Sequence, residues 1–132
     1  MDIYIDYFLD LLAYIKKNAQ ISKTYLFKEQ GAGLQCVLVP ESLTPEGPEA
    51  GPQVQGRSIS ITVRLSAPHD NWKQLFQYMG RIEQIFQNCV TENNELKIKY
   101  HLTLGAWSRS EDESNLIYEN SLEVRCVRIN NN

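Results

Sequence analysis

Residues 58–105 read SISITVRLSAPHDNWKQLFQYMGRIEQIFQNCVTENNELKIKYHLTLG, and the hydrophobic rhythm changes twice within them. Ile59, Ile61, Val63 and Leu65 alternate with Ser60, Thr62 and Arg64, the pattern of a strand with one buried and one wet face. Trp72, Leu75, Phe76, Met79, Ile82, Phe86 and Cys89 then recur at three- and four-residue steps, lining one face of a helix about five turns long. Alternation returns with Leu96, Ile98, Tyr100, Leu102 and Leu104 set against Lys97, Lys99, His101 and Thr103. The unit is a strand, a covering helix and another strand.

Outward from this unit, Leu116, Tyr118, Leu122, Val124 and Cys126 fall on one face of a further strand, with Glu119, Ser121, Glu123 and Arg125 on the other. Glu119 and Glu123 are expected to pair across strands with Lys97 and Lys99, residues 108–114 to form a polar loop, and the tail 128–132 to fray. Upstream, Thr24 to Glu29 and Leu34 to Val39 are rich in strand formers around Gly31-Ala32-Gly33 and read as a hairpin, whose second strand should stop at Pro40. Between Glu41 and Arg57 the prolines at 45, 48 and 52, the glycines at 47, 51 and 56 and three glutamates carry no apolar period. This reads as a long loop, either ordered on a partner or tolerated slack.

The chain begins with an amphipathic helix, Asp2 to Asn18, with Ile5, Phe8, Leu9, Leu12 and Ile15 at helical spacing, acids early and Lys16 and Lys17 late, as the helix dipole favours. Tyr4, Leu11 and Tyr14 widen its stripe. They either meet a neighbouring subunit or rest at the waterline by their hydroxyls. The second helix should start at Asp70 or Asn71, and Gly80 within it costs about 1 kcal/mol unless close backbone approach offsets that. The expected architecture is a single α+β domain over 1–132 in the order α-β-β-(long loop)-β-α-β-β, one mostly antiparallel sheet with two helices packed on one face. Phe76 and Leu102 are expected in its core.

Composition narrows the function classes. With 42% hydrophobic and 22% charged residues the chain suits a soluble domain. A net charge of −3 and a pI near 5.4 disfavour a nucleic-acid partner. No run of about 18 apolar residues occurs, and Asp2, Asp6 and Asp10 break the first apolar stretch, so neither membrane span nor signal peptide is expected. Cys36, Cys89 and Cys126 sit within apolar patterns and read as reduced core residues of a cytoplasmic protein.

No catalytic constellation emerges. His101 lies on the polar phase of a strand, and His69 follows Pro68 at a helix entrance. Cys89 and Cys126, the closest cysteines, are 37 positions apart, which excludes a local zinc motif. Gly31-Ala32-Gly33 precedes a strand and lacks the lysine and helix of a phosphate loop. Glu111, Asp112 and Glu113 read as a solvated turn, because the ligand order of a calcium loop is missing. The expectation is a non-enzyme without cofactor or metal.

The first helix from Asp2 to Lys17, the strand Ser58 to Leu65, the helix Asn71 to Asn88 behind it, and the loop Glu41 to Arg57 before the central strand carry a resemblance. In pattern and order the chain resembles the tail terminator and head-to-tail joining proteins of long-tailed bacteriophages, the lambda-type tail terminators among them. The resemblance implies a structural virion protein, or a part of a phage-tail-like particle. Such a subunit forms a ring, typically a hexamer, that caps the tail tube and docks to the head connector after assembly in the host cytoplasm. Its partners would be its own copies, the tail tube protein and the head-tail connector protein. The positions implied for partner contact are Tyr4, Leu11 and Tyr14 on the first helix, Glu46, Glu49, Gln53 and Arg57 in the long loop, and Arg109, Glu111 and Asp112 before the last strand. Type III secretion chaperones share the acidity, length and most of the element order, but they end in a further helix, for which the six residues after Cys126 leave no room.

Overall fold

The computed structural model describes residues 3–45, 54–86, 89–110 and 112–129. In chain order they form α1 (Ile3–Asn18), β1 (Thr24–Leu26), β2 (Gln35–Pro45), β3 (Val54–Ala67), α2 (Trp72–Phe86), β4 (Cys89–Asn93), β5 (Ile98–Leu104), β6 (Ser108–Ser110) and β7 (Leu116–Ile129), with a single 3-10 turn, His69–Asn71, leading into α2. Seven strands make one curled sheet in the order β1-β2-β3-β7-β5-β4, and β6 pairs with β7 beyond the end of β5. The α+β class, the mostly antiparallel sheet and the two helices on one face are as the periodicities require.

Register puts Cys36 and Leu38 of β2 and the apolar phases of β3, β5 and β7 on one side. Leu38 faces Val63, Ile61 faces Leu122, Ile59 faces Val124, and Val124 faces Leu102. Those residues join Tyr7, Phe8, Leu11 and Ile15 of α1 and Leu75, Ile82 and Phe86 of α2 in one buried cluster, so both helices cover the same face. The opposite face is polar and internally paired. Arg64 lies 3.3 Å from Glu119 and 3.6 Å from Glu29, and Ser60 Oγ donates to Glu123 at 2.8 Å. Glu119 and Glu123 therefore do not pair with Lys97 and Lys99 as expected, because the antiparallel β5–β7 register sets Lys99 opposite Val127 and Thr103 opposite Glu123.

Five other expectations are corrected. The first two strands are parallel neighbours, not a hairpin: Thr24 aligns with Cys36 and Leu26 with Leu38. The chain turns back at Phe27 (φ 73°), passes Gly31 (φ 75°) and Gly33 (φ 97°), and re-enters beside itself. That return loop crosses the polar face, where Gln35 accepts from the Gln30 N–H at 2.8 Å and donates to the Gly31 carbonyl at 3.0 Å. Second, β2 does not stop at Pro40 but continues to Pro45 after a bulge between Pro40 and Ser42. Cys36 N–H and Leu38 C=O face β1, and Pro40 faces the same side two residues on, where β1 has ended; its missing donor breaks no ladder bond.

Third, residues 41–45 and 54–57 are not loop: Ser42 to Pro45 pair with Ser60 to Arg57, and Val54 to Arg57 also pair with β7. The result is a long β2–β3 hairpin that runs past β1. Fourth, the tail does not fray at 128. Strand β7 runs to Ile129, and Arg128 is only 5% exposed. Fifth, part of the 108–114 loop is the strand β6, Cys89 belongs to the strand β4 instead of the second helix, and β5 begins at Ile98 instead of Leu96.

Candidate functional site

The first helix uses its polar residues as anchors. Asp6, Asp10 and Tyr14, spaced one turn apart, each reach a different element. Asp6 Oδ2 accepts from Arg128 Nη2 on β7 at 2.9 Å. Asp10 takes hydrogen bonds from Asn93 Nδ2 and from the Tyr100 hydroxyl, both at 2.6 Å. The Tyr14 hydroxyl points to the Ile85 carbonyl on α2 at 3.5 Å, and its ring lies 5.8 Å from Phe86. Near the start of the helix, Tyr4 lies under the Arg57 guanidinium at 5.3 Å. Burial, and then the hydrogen bond to Asp10, push the Tyr100 phenol well above its ordinary range, so it stays a neutral donor. Burial likewise raises Tyr7.

These contacts turn the helix away from the orientation its periodicity suggests. Leu11, a candidate for partner contact, is in the core at 5% exposure, and Tyr4 and Tyr14 are part-buried joints between elements. Ile5 and Leu9, read from sequence as core, are the exposed apolar pair at 56% and 58%. The signal that separates them is the placement of Asp6 and Asp10, whose partners lie far along the chain and draw their side of the helix inward.

A cleft of about 370 Å³ lies between the second half of α1 and the β4–β5 hairpin, with Asp10, Tyr14, Lys17, Glu92, Asn93 and Tyr100 on its wall. Both Asp10 oxygens already accept short hydrogen bonds, so this carboxylate is a fastener more than a free base. Among the described residues no group of three or more His, Cys, Asp or Glu side chains is placed to hold a metal ion, and no helix is long and apolar enough to cross a membrane.

The remaining candidates divide between the two ends of the sheet. Arg57 sits opposite Pro45 at the far end of the β2–β3 ladder, where its Nη1 donates to the Gly56 carbonyl at 2.7 Å and its buried Nε finds no acceptor among the described residues. On the facing strand Glu41 to Pro45 are all exposed. Glu46, Glu49 and Gln53 lie outside the described residues, as does Glu111. At the other end, Arg109 is exposed in β6 opposite Tyr118. Asp112 accepts from the Ser114 and Asn115 N–H groups at 2.8 and 3.2 Å, which makes it the closure of a turn.

Beside Arg109 stands a group that sequence reading placed in the core. Trp72 and Phe76 are 47% and 45% exposed. They meet edge to face at 5.6 Å, and Phe76 meets Tyr118 in the same way at 5.6 Å. Their positions fit the helical period of α2, yet only Leu75, Ile82 and Phe86 of that helix are buried.

No family model matches the chain, and no curated protein matches it in sequence. A solved structure of a structural-genomics target that carries no functional name is similar over 98% of this chain and 96% of its own, with a TM-score of 0.59 and 14% identity. At that identity the likeness shows the fold alone.

Proposed function

We propose that the protein is a structural subunit of a phage tail or tail-like particle, a tail terminator that assembles into a ring on the end of the tail tube and offers its far face to the head connector. The observation that supports this best is the long β2–β3 hairpin. Its distal half, where Glu41 to Pro45 are exposed and pair with β3, runs past the end of β1, at the place where the resembled family carries a long loop before its central strand. An extended arm of this kind contributes little to its own core. It suits contact with another subunit, as do the exposed Ile5 and Leu9 and the open edges of the sheet at β1 and β4. A ring built head to tail needs two different patches on each subunit, and the arm and the Trp72 corner are different surfaces.

The test is assembly. The purified protein, alone and mixed with a phage tail-tube protein, is followed by native mass spectrometry and negative-stain micrographs. The expected result is a sixfold ring, or tubes closed at one end by added density. A two-fold dimer that co-purifies with an unfolded segment of another protein would overturn the proposal in favour of a secretion-chaperone role.

A further inference from the structure

Folding leaves the three-ring ladder Trp72–Phe76–Tyr118 half in water, with two cations beside it. Lys73 Nζ lies 5.7 Å from the Trp72 ring centroid. Arg109 stands directly opposite Tyr118 in the β6–β7 pairing, so the two side chains share a face. Among the described residues neither cation is in an ion pair. Half-exposed aromatic rings packed edge to face and flanked by positive charge favour a proline-rich acidic segment: proline rings lie flat on aromatic rings, the extended chain loses little entropy, and carboxylates meet the cations.

The chain contains such a segment. Residues 45–52 read PEGPEAGP, with prolines at 45, 48 and 52, glutamates at 46 and 49 and no cation. It joins β2 to β3, at the opposite end of the sheet from the ladder. Tyr118 pairs with Leu65 of β3, and Val54 starts that strand. The 11 steps from 54 to 65 span roughly 36 Å at the usual rise. The stretch 46–53, tethered at Pro45 and Val54, extends at most about 16 Å from its base. A segment therefore cannot reach the ladder of its own chain, and any such contact joins two copies.

We infer that residues 45–52 of one copy dock on the Trp72–Phe76–Tyr118 ladder of a second copy, with Glu46 and Glu49 opposite Lys73 and Arg109. The interface is heterologous, and its closure into a ring rests on the tail-terminator reading; the contact itself does not.

Two variants test it: Trp72→Ala/Phe76→Ala, which removes the ladder, and Glu46→Lys/Glu49→Lys, which reverses the segment. Lys73→Glu/Arg109→Glu replaces the first if circular dichroism shows that it does not fold. Sedimentation should show wild-type oligomers and association weakened at least tenfold in each variant. An equimolar mixture of the two retains one intact contact, so it should form a 1:1 heterodimer and nothing larger. Combining both charge reversals in one chain should restore assembly. A mixture that stays monomeric, a variant that assembles as the wild type does, or a wild type that stays monomeric at every concentration would overturn the contact. A wild-type ring with unaffected variants rejects the contact but leaves the ring reading standing, whereas filaments lost in both variants keep the contact and reject the ring.

Discussion

Replacing Asp6 with alanine should cost far more than a surface change, because Asp6 is the carboxylate that faces a buried arginine. The Arg128 side chain is 6% exposed and that of Asp6 22%, with Nη2 and Oδ2 2.9 Å apart. Removing one member of a buried pair leaves an uncompensated charge, at about 3–5 kcal/mol. Arg128 keeps other interactions and Asp6 retains some contact with water, so about 3 kcal/mol, the low end of that range, is expected. For 132 residues, an unfolding entropy of about 0.28 kcal/mol/K turns this into a fall in Tm of about 11 °C. Urea titration should show a lower midpoint with an unchanged slope. The pair is then isolated by a double-mutant cycle: Asp6→Leu/Arg128→Met removes both charges and should recover much of the loss, giving a coupling of about 1.5–3 kcal/mol. A loss under about 1 kcal/mol, or an additive cycle, would refute the argument and restore the view that the chain frays at residue 128.

The exposed ladder and the core can be told apart by truncation: Leu102→Ala, at 2% exposure, should cost about 2–5 kcal/mol, whereas Phe76→Ala should cost only about 1 kcal/mol in chemical denaturation of the monomer. Gly80→Ala should stabilise by about 0.8–1 kcal/mol, since a methyl group there meets nothing within 4 Å and the helix gains propensity; a lower Tm would mean the site is tighter than it looks. Burial pushes the Cys36 thiol up from its ordinary 9.0 to about 12. Its proton is thus retained by the folded chain and released by the unfolded one across that window, so its stabilising contribution is full below pH 9 and is lost as pH rises towards 12, at up to about 1.4 kcal/mol per pH unit. Denaturant titrations from pH 8 to 11 should show that slope, shallower in Cys36→Ala; equal slopes would refute it.

What the sequence disclosed and what it hid divide along the range of the interactions involved. The strands β3, β5 and β7 and the helix α2 each have one face against the core, so their periods are written locally and legible. The β1–β2 pairing depends on a left-handed backbone at Phe27, an aromatic residue that no turn rule would place there. Glu41 to Pro45 form a strand with every side chain exposed; nothing apolar alternates, and β3 holds them by its register and by the Thr62 hydroxyl, which donates to Glu41 at 3.0 Å. Arg128 is buried because of a carboxylate 122 positions away. Trp72 and Phe76 failed in the opposite sense, having the right period at the wrong end of the helix. Periodicity says which face of a helix is apolar, not where along it the sheet stops.

That last distinction bears on the candidate surfaces. The long ladder between β3 and β7, Val54 to Ala67 against Ile129 to Leu116, holds the core and also sets the distance between the arm and the aromatic corner. Two contacts from the first turns of α1 hold the far end of the hairpin on its β3 side: Tyr4 packs on Arg57, opposite Pro45, and Asp6 holds Arg128 of β7, which is paired with Gln55. A hairpin held in this way along its β3 side leaves the body of the subunit in a set direction, which lowers the ordering cost of a contact made there. In the proposed assembly, stiffness there would make the angle between successive copies a property of the fold and not of the tip, and head-to-tail contacts would close into a ring or run on as a filament according to whether that repeated rotation closes.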